Sequence, residues 1–192
     1  MTIGLTGGSG TGKSTACLFF ESNGYLIIDA DRVYGELCLA GSRCLDEIAD
    51  FFGEDVLTED KNLNRQYLAG IVFSDSGKLK KLNQITHKYV KKEIEDTIEK
   101  NKGKNIVIDA PLLIEAGLDK ICDITVCILA DKEKRIDRIT KRDGKTYDEA
   151  KKRIESQQND EFYLKKCDIA IYNNADTDTM LSALEEELKD YV

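Results

Sequence analysis

The sequence predicts an α/β chain with a five-stranded parallel sheet flanked by helices, and three observations predict it. Five short apolar runs, Ile3 to Thr6, Tyr25 to Ile28, Asn105 to Asp109, Ile124 to Leu129 and Ile169 to Tyr172, are rich in β-branched residues and lack clean alternation. Parallel strands covered on both faces read this way, because neither face meets water. Helical periodicities separate the runs, and strands alternating with helices make parallel crossovers. The third observation is a glycine-rich turn, GLTGGSGTGKST from Gly4 to Thr15, between the first run and the first helix.

The first strand delivers the chain into that turn. Gly7, four residues, then Gly12, Lys13 and Ser14 give G-x-x-x-x-G-K-[ST], the phosphate-binding loop. Gly7, Gly8, Gly10 and Gly12 let the backbone wrap with its N–H groups close to an anion. Lys13 reaches the β- and γ-phosphates, and Ser14 offers its hydroxyl to Mg²⁺. Ser14 to Glu21 reads as a helix whose N-terminal dipole favours the same phosphates. A P-loop NTPase fold holding a nucleoside triphosphate follows.

The second strand ends in IIDAD, which puts Asp29 and Asp31 at a strand's carboxyl end, where open α/β sheets bind ligands. One carboxylate could accept a proton from an attacking hydroxyl while the other orients a substrate group or caps the next helix. Periodicity does not choose between them. Roughly 75 residues then precede the third strand, far more than one crossover helix needs. Helical patterns fill them at Asp31–Ala40, Cys44–Phe52 and Arg65–Phe73, before a long helix with the seam Leu79, Leu82, Ile85, Tyr89, Val90, Ile94 and Ile98, ending near Gly103. Residues 1–192 therefore read as one domain with a helical insertion over 30–103. His87 lies beside the seam of the long helix, a place where a lone histidine is usually packed or surface-lying.

The third strand, NIVIDAP, ends in Asp109, an acid placed to hold the Mg²⁺ shell in this fold or simply to end a strand before Pro111. After the fourth strand, Arg135, Arg138 and Arg142 fall at i, i+3 and i+7, on one face of a helix. Asp131, Glu133 and Asp137 offer local partners, as in a solvated stripe. Yet this chain has seven arginines against 21 lysines, and guanidinium suits a transferring phosphoryl group. Arg142 borders a second insertion, 142–163, expected to act as a water-excluding lid. Met180, Leu181, Leu184 and Leu188 mark the final helix.

Acidic residues outnumber basic ones, 36 to 28, for a net charge of −8, which argues against nucleic acid or anionic membrane as partners. The apolar runs are strand-length, and the chain opens directly into strand and loop, so the expected location is cytoplasmic. Six cysteines without a C-x-x-C pair, and one histidine, fit small buried apolar residues better than a zinc site. Nothing in the sequence marks an oligomeric state.

With these pieces placed, the sequence resembles the dephospho-coenzyme A kinase family nearly end to end, through IGLTGGSGTGKS, IIDADRV, FFGEDVL, LNRQYLAGIVFSD, ITHKYV, VIDAPLLIEAGL, RITKRDG, RIESQ and CDIAIYNN. The resemblance implies ATP-dependent phosphorylation of the ribose 3′-hydroxyl of dephospho-coenzyme A, the last step of coenzyme A synthesis. By position it implies Asp31 as general base, an ATP cradle of Gly8, Gly10, Thr11, Gly12, Lys13, Ser14 and Thr15, and Arg142 as the lid's phosphate-binding arginine. It puts Arg65, Phe73, His87, Leu112 and Glu115 on the coenzyme A side and Asn173 near the adenine. The family's proline after the histidine is Lys88 here, an expected arginine is Gly35, and a common glutamine is Arg135. Another small-molecule kinase would fit the loop, but the long insertion suits a large acceptor. A guanine-reading switch would need N-K-x-D, and Asn101-Lys102-Gly103-Lys104 lacks the aspartate.

Overall fold

A computed structural model describes residues 1–189 and 191. The strands β1 (Thr2–Thr6), β2 (Leu26–Asp29), β3 (Ile106–Asp109), β4 (Ile124–Leu129) and β5 (Ile169–Tyr172) form a sheet in the order β2-β3-β1-β4-β5. β1 pairs in parallel with β3 and β4, and β4 with β5. Every residue of β1 and of β4 is buried, which is why those runs show no polar alternation. Strand edges lie within a residue of the expected ones. Tyr25 drops out of β2 because its N–H goes to the Phe20 carbonyl (3.1 Å) and its ring packs on Phe20 (centroids 5.1 Å), closing a turn.

The helices are α1 (Lys13–Ser22), α2 (Ala30–Leu37), α3 (Arg43–Phe52), α4 (Arg65–Val72), α5 (Ser76–Lys100), α6 (Lys132–Asp143), α7 (Tyr147–Glu155), α8 (Asp160–Lys166) and α9 (Thr177–Leu188). The chain divides into two compact units, Met1–Ile28 with Gly103–Val192, and Asp29–Lys102.

In the first unit, Ile3, Leu5, Val126 and Ile128 of the sheet pack with Phe20 of α1 and with Met180, Leu184 and Leu188 of α9. These residues anchor the strand and the helix that bracket the glycine-rich loop. Ile128 is fully buried in β4, so Ile128→Ala should remove about 2–5 kcal/mol of stability, read from denaturant unfolding, through lost burial and the cavity left behind. A loss below about 1 kcal/mol would mean that this packing does not hold the sheet. Ile136 and Ile139 of α6 pack with Ala150 and Ile154 of α7, which opens with a capping box between Thr146 and Glu149. The stretch 142–163 thus holds the end of α6, all of α7 and the first half of α8.

The second unit is α2 to α5 with a 3₁₀ turn at Glu54–Val56 and one antiparallel bridge, Leu57 to Leu63. Leu45, Ile48, Val56, Leu68, Val72, Leu82 and Ile85 fill its core. Side-chain oxygens of Asp29, Ser42, Asn64 and Asp75 cap the four helices in turn. α2 stops at Leu37, short of the expected Ala40, where the Cys38 carbonyl accepts the Leu63 N–H instead (3.0 Å). α5 starts at Ser76, one turn before its apolar seam, because Asp75 accepts from the Gly77 and Lys78 amides. Cys38, Cys44 and Cys127 are buried, and Cys17, Cys122 and Cys167 are half-buried. Among the described residues, no helix is long and apolar enough to cross a membrane.

Candidate active site

β1 runs out at Thr6, and the loop that follows leaves the sheet between β3 and β4, the strand-end position where ligands dock. Glycine is needed at Gly7, where φ is 151°, and at two positions further along. Gly10 and Gly12 have φ of 79° and 104°, and a Cβ on Gly12 would stand 2.2 Å from Asn173 Nδ2. Gly12 ends the loop as the N-cap of α1 and supplies no side-chain cap, so an anion can fill that role for the first-turn amides.

The loop is held by its carbonyls. Arg138 donates through Nη1 to the carbonyls of Gly10 (3.2 Å) and Thr11 (3.4 Å), and through Nη2 to the carbonyl (2.9 Å) and Oδ1 (3.2 Å) of Asn173. Asn173, 6 % exposed just past β5, donates its Nδ2 to the Thr11 carbonyl at 2.8 Å. Arg135 Nε donates to the Ser9 carbonyl at 2.9 Å. With the carbonyls of Ser9, Gly10 and Thr11 held by side-chain donors, the wrap of the loop backbone is fixed, as a phosphate-binding loop requires. Arg135 is 5 % exposed; its burial lowers its pKa, and Asp160 at 3.8 Å opposes that, though a guanidinium stays charged.

Lys13, the first residue of α1, donates its Nζ to the Asp109 carboxylate at the end of β3, with both side chains largely buried. The parallel register that sets Leu5 opposite Asp109 brings them together. Ser14 follows, exposed in the first turn of α1. Arg142 does not join Arg135 and Arg138 on the loop. Its guanidinium forks onto the neighbouring Asp143 (2.7 and 3.0 Å), which also accepts from Arg153 (3.0 Å), and the pairing with Asp143 raises its pKa. Sequence reasoning weighed the arginine stripe but missed Gln157, which bonds Ser9 from the α7–α8 connection. In the same unit Leu112 is 52 % exposed and Glu115 is exposed.

In the second unit, Asp29 caps α2. Asp29 Oδ1 accepts the N–H groups of Asp31 (2.9 Å) and Arg32 (3.1 Å), so Asp29 is the helix cap and Asp31 stands exposed in the first turn of α2. The Arg65 guanidinium lies over the Tyr34 ring (5.1 Å), and its Nη2 would be 3.9 Å from a Cβ on Gly35, so Arg65 brings a cation beside that position. Phe73 is 83 % exposed. His87 is half-buried, and burial lowers its pKa, favouring the neutral ring. α5 runs unbroken through His87 and Lys88, and Lys88 Nζ donates to Glu47 Oε2 at 2.6 Å.

A family model described as dephospho-CoA kinase matches residues 1–179. The dephospho-CoA kinase of Lactobacillus johnsonii is 39 % identical over 191 residues, spanning 98 % of this chain and 94 % of that protein. Among solved structures, the Thermus thermophilus protein TT1252 superposes with a TM-score of 0.83 at 28 % identity, covering 100 % of this chain and 98 % of the other. A dephospho-CoA kinase from Campylobacter jejuni does so with a TM-score of 0.72 at 26 % identity, with the same coverage. A parallel sheet carrying a phosphate loop with its lysine and strand-end acid, matched along nearly its whole length, places this chain in the dephospho-CoA kinase family, P-loop kinases that phosphorylate dephospho-CoA in the last step of coenzyme A biosynthesis.

Proposed function

We propose that this chain carries the γ-phosphoryl group of ATP to the ribose 3′-hydroxyl of dephospho-CoA, releasing CoA and ADP. The observation that carries the reading is the assembled phosphate loop, with Lys13 at its mouth, in a chain of this family. A bond forms between the 3′-oxygen and the γ-phosphorus as the bond from that phosphorus to the β–γ bridging oxygen breaks. Asp31 takes the hydroxyl proton, late if the transition state is loose. Gly8 and Gly10 through Thr15 cradle the triphosphate, and Lys13 leaves Asp109 to follow the β- and γ-phosphates. Asn173 serves the adenine end while fixing Thr11.

Ser14 and Asp109 offer a hydroxyl and a carboxylate, the hard oxygen donors that suit Mg²⁺ alongside substrate phosphates, and the pairing of Asp109 with Lys13 puts that carboxylate within reach of the loop. When bound there, Mg²⁺ would neutralise charge on the phosphate oxygens. Arg142 is assigned to the phosphoryl group in flight, with 142–163 as the lid that brings it. Arg65, Phe73, His87, Leu112 and Glu115 are assigned to the coenzyme A moiety, and residues 30–103 to the acceptor lobe. Phe73 and Leu112 are each exposed and so accessible to a ligand. The acidic balance supports an enzyme with neither nucleic acid nor anionic membrane as partner.

A coupled assay of ADP release tests the reading. Release should depend on dephospho-CoA and not respond to nucleoside monophosphates or gluconate. Release that ignores the acceptor, or that another acceptor supports better, would overturn it.

A further inference from the structure

We propose that Arg135 and Gln157 are positioning residues that lock Ser9 at the tip of the phosphate loop and thereby set ATP affinity, and that Arg135 is what demands glycine at position 8. The inference rests on Gly8 and Gly10 through Thr15 being the triphosphate cradle.

Ser9 is held on every polar group it has. Its carbonyl accepts from Arg135 Nε (2.9 Å), its N–H donates to Gln157 Oε1 (2.8 Å), and its hydroxyl oxygen accepts from Gln157 Nε2 (3.2 Å). Arg135 Nη2 closes the ring by donating to the same Gln157 Oε1 at 3.2 Å. The partners lie 126 and 148 residues from Ser9 along the chain, one on α6 and one between α7 and α8. An amide so engaged is not offered to a nucleotide. Ser9 is therefore a handle by which the loop is gripped, and a fixed loop does not have to be ordered when ATP arrives.

Gly8 carries the steric imprint of that grip. Its φ lies outside the left-handed region, so its backbone would admit alanine, unlike that of Gly10 or Gly12. A Cβ there would nonetheless stand 2.3 Å from Arg135 Nη2, 3.0 Å from Arg135 Cζ and 3.1 Å from Gln157 Oε1. Removing the guanidinium opens that space, so Gly8 and Arg135 should be energetically coupled.

A loop that is competent for only part of the time lowers apparent ATP affinity by that fraction and leaves the bound complex intact. Arg135→Met keeps the aliphatic stem and loses every donor. It should raise the ATP KM by about 10- to 100-fold, with kcat and the dephospho-CoA KM within about threefold of wild type. Gln157→Ala should act in the same direction without adding to Arg135→Met, and it carries the test if Arg135→Met fails to fold. Gly8→Ala should also raise the ATP KM, and Gly8→Ala with Arg135→Met should be no worse than Arg135→Met alone. Steady-state kinetics on the full chain, with thermal melts to establish folding, decide it. Folded Arg135→Met and Gln157→Ala proteins with an unchanged ATP KM would overturn the inference, as would a Gly8→Ala penalty that multiplies with that of Arg135→Met. A wild type with no saturable ATP dependence would overturn the cradle reading as well, whereas saturable wild type with indifferent variants sinks only this inference.

Discussion

Asp31→Asn is expected to cut turnover by about two to four orders of magnitude while leaving ATP binding nearly unchanged. The amide keeps the size of the carboxylate and loses its ability to take the hydroxyl proton. Two carboxylates sit in this turn, and one of them caps α2. Asp29 spends its oxygen on the amides of Asp31 and Arg32, whereas Asp31 is exposed in the first turn of α2. Asp29→Asn is therefore the control: asparagine is also a good N-cap, so stability should move by a few tenths of a kcal/mol and turnover far less than in Asp31→Asn. Turnover of both variants with saturating ATP and dephospho-CoA, beside ATP affinity by calorimetry, separates base from cap. Near-normal turnover in Asp31→Asn, or a larger loss in Asp29→Asn, would end the assignment of Asp31.

The parts of the molecule that sequence reveals are those specified by neighbours. β1 and β4 are legible because a strand covered on both faces needs an unbroken run of buried residues, and every position of β4 is buried. The loop is legible because G-x-x-x-x-G-K-[ST] is a local solution to wrapping an anion. What local pattern leaves open is decided by contacts across the chain. Periodicity cannot say whether Asp29 or Asp31 caps α2, since both residue types and positions permit it. The arginine stripe on α6 shows three candidates at helical spacing, but only long-range bonds to Ser9, Gly10, Thr11 and Asn173 distinguish Arg135 and Arg138 from Arg142. Gln157 ends the RIESQ stretch, but no local pattern gives it a role, because its partner is 148 residues away. The start of α5 was legible in principle: Asp75 is a good cap, but Gly77 in the first turn and a seam beginning at Leu79 obscure it.

Lys13→Met is expected to lower kcat/KM by about 10³-fold or more, the scale of losing a charge aimed at the transferring group. Lys13 is the cation that the loop itself carries, and its Nζ donates to the Asp109 carboxylate. The replacement has two consequences with different signatures. It removes a charge that follows the β- and γ-phosphates through transfer, so turnover falls at any ATP concentration. It also leaves the Asp109 carboxylate, 17 % exposed, without its cation, which should cost stability. Asp109→Asn isolates the other half of the pair. The lysine remains for the phosphates, so the expected change is a shift of activity toward higher Mg²⁺ concentration rather than a collapse of turnover. Titrating Mg²⁺ for the two variants side by side distinguishes the roles, because excess Mg²⁺ should restore Asp109→Asn and do nothing for Lys13→Met. Activity of Lys13→Met within about tenfold of wild type would mean that the loop does not hold the reacting phosphates, since an aimed charge in a dry site is worth more than that.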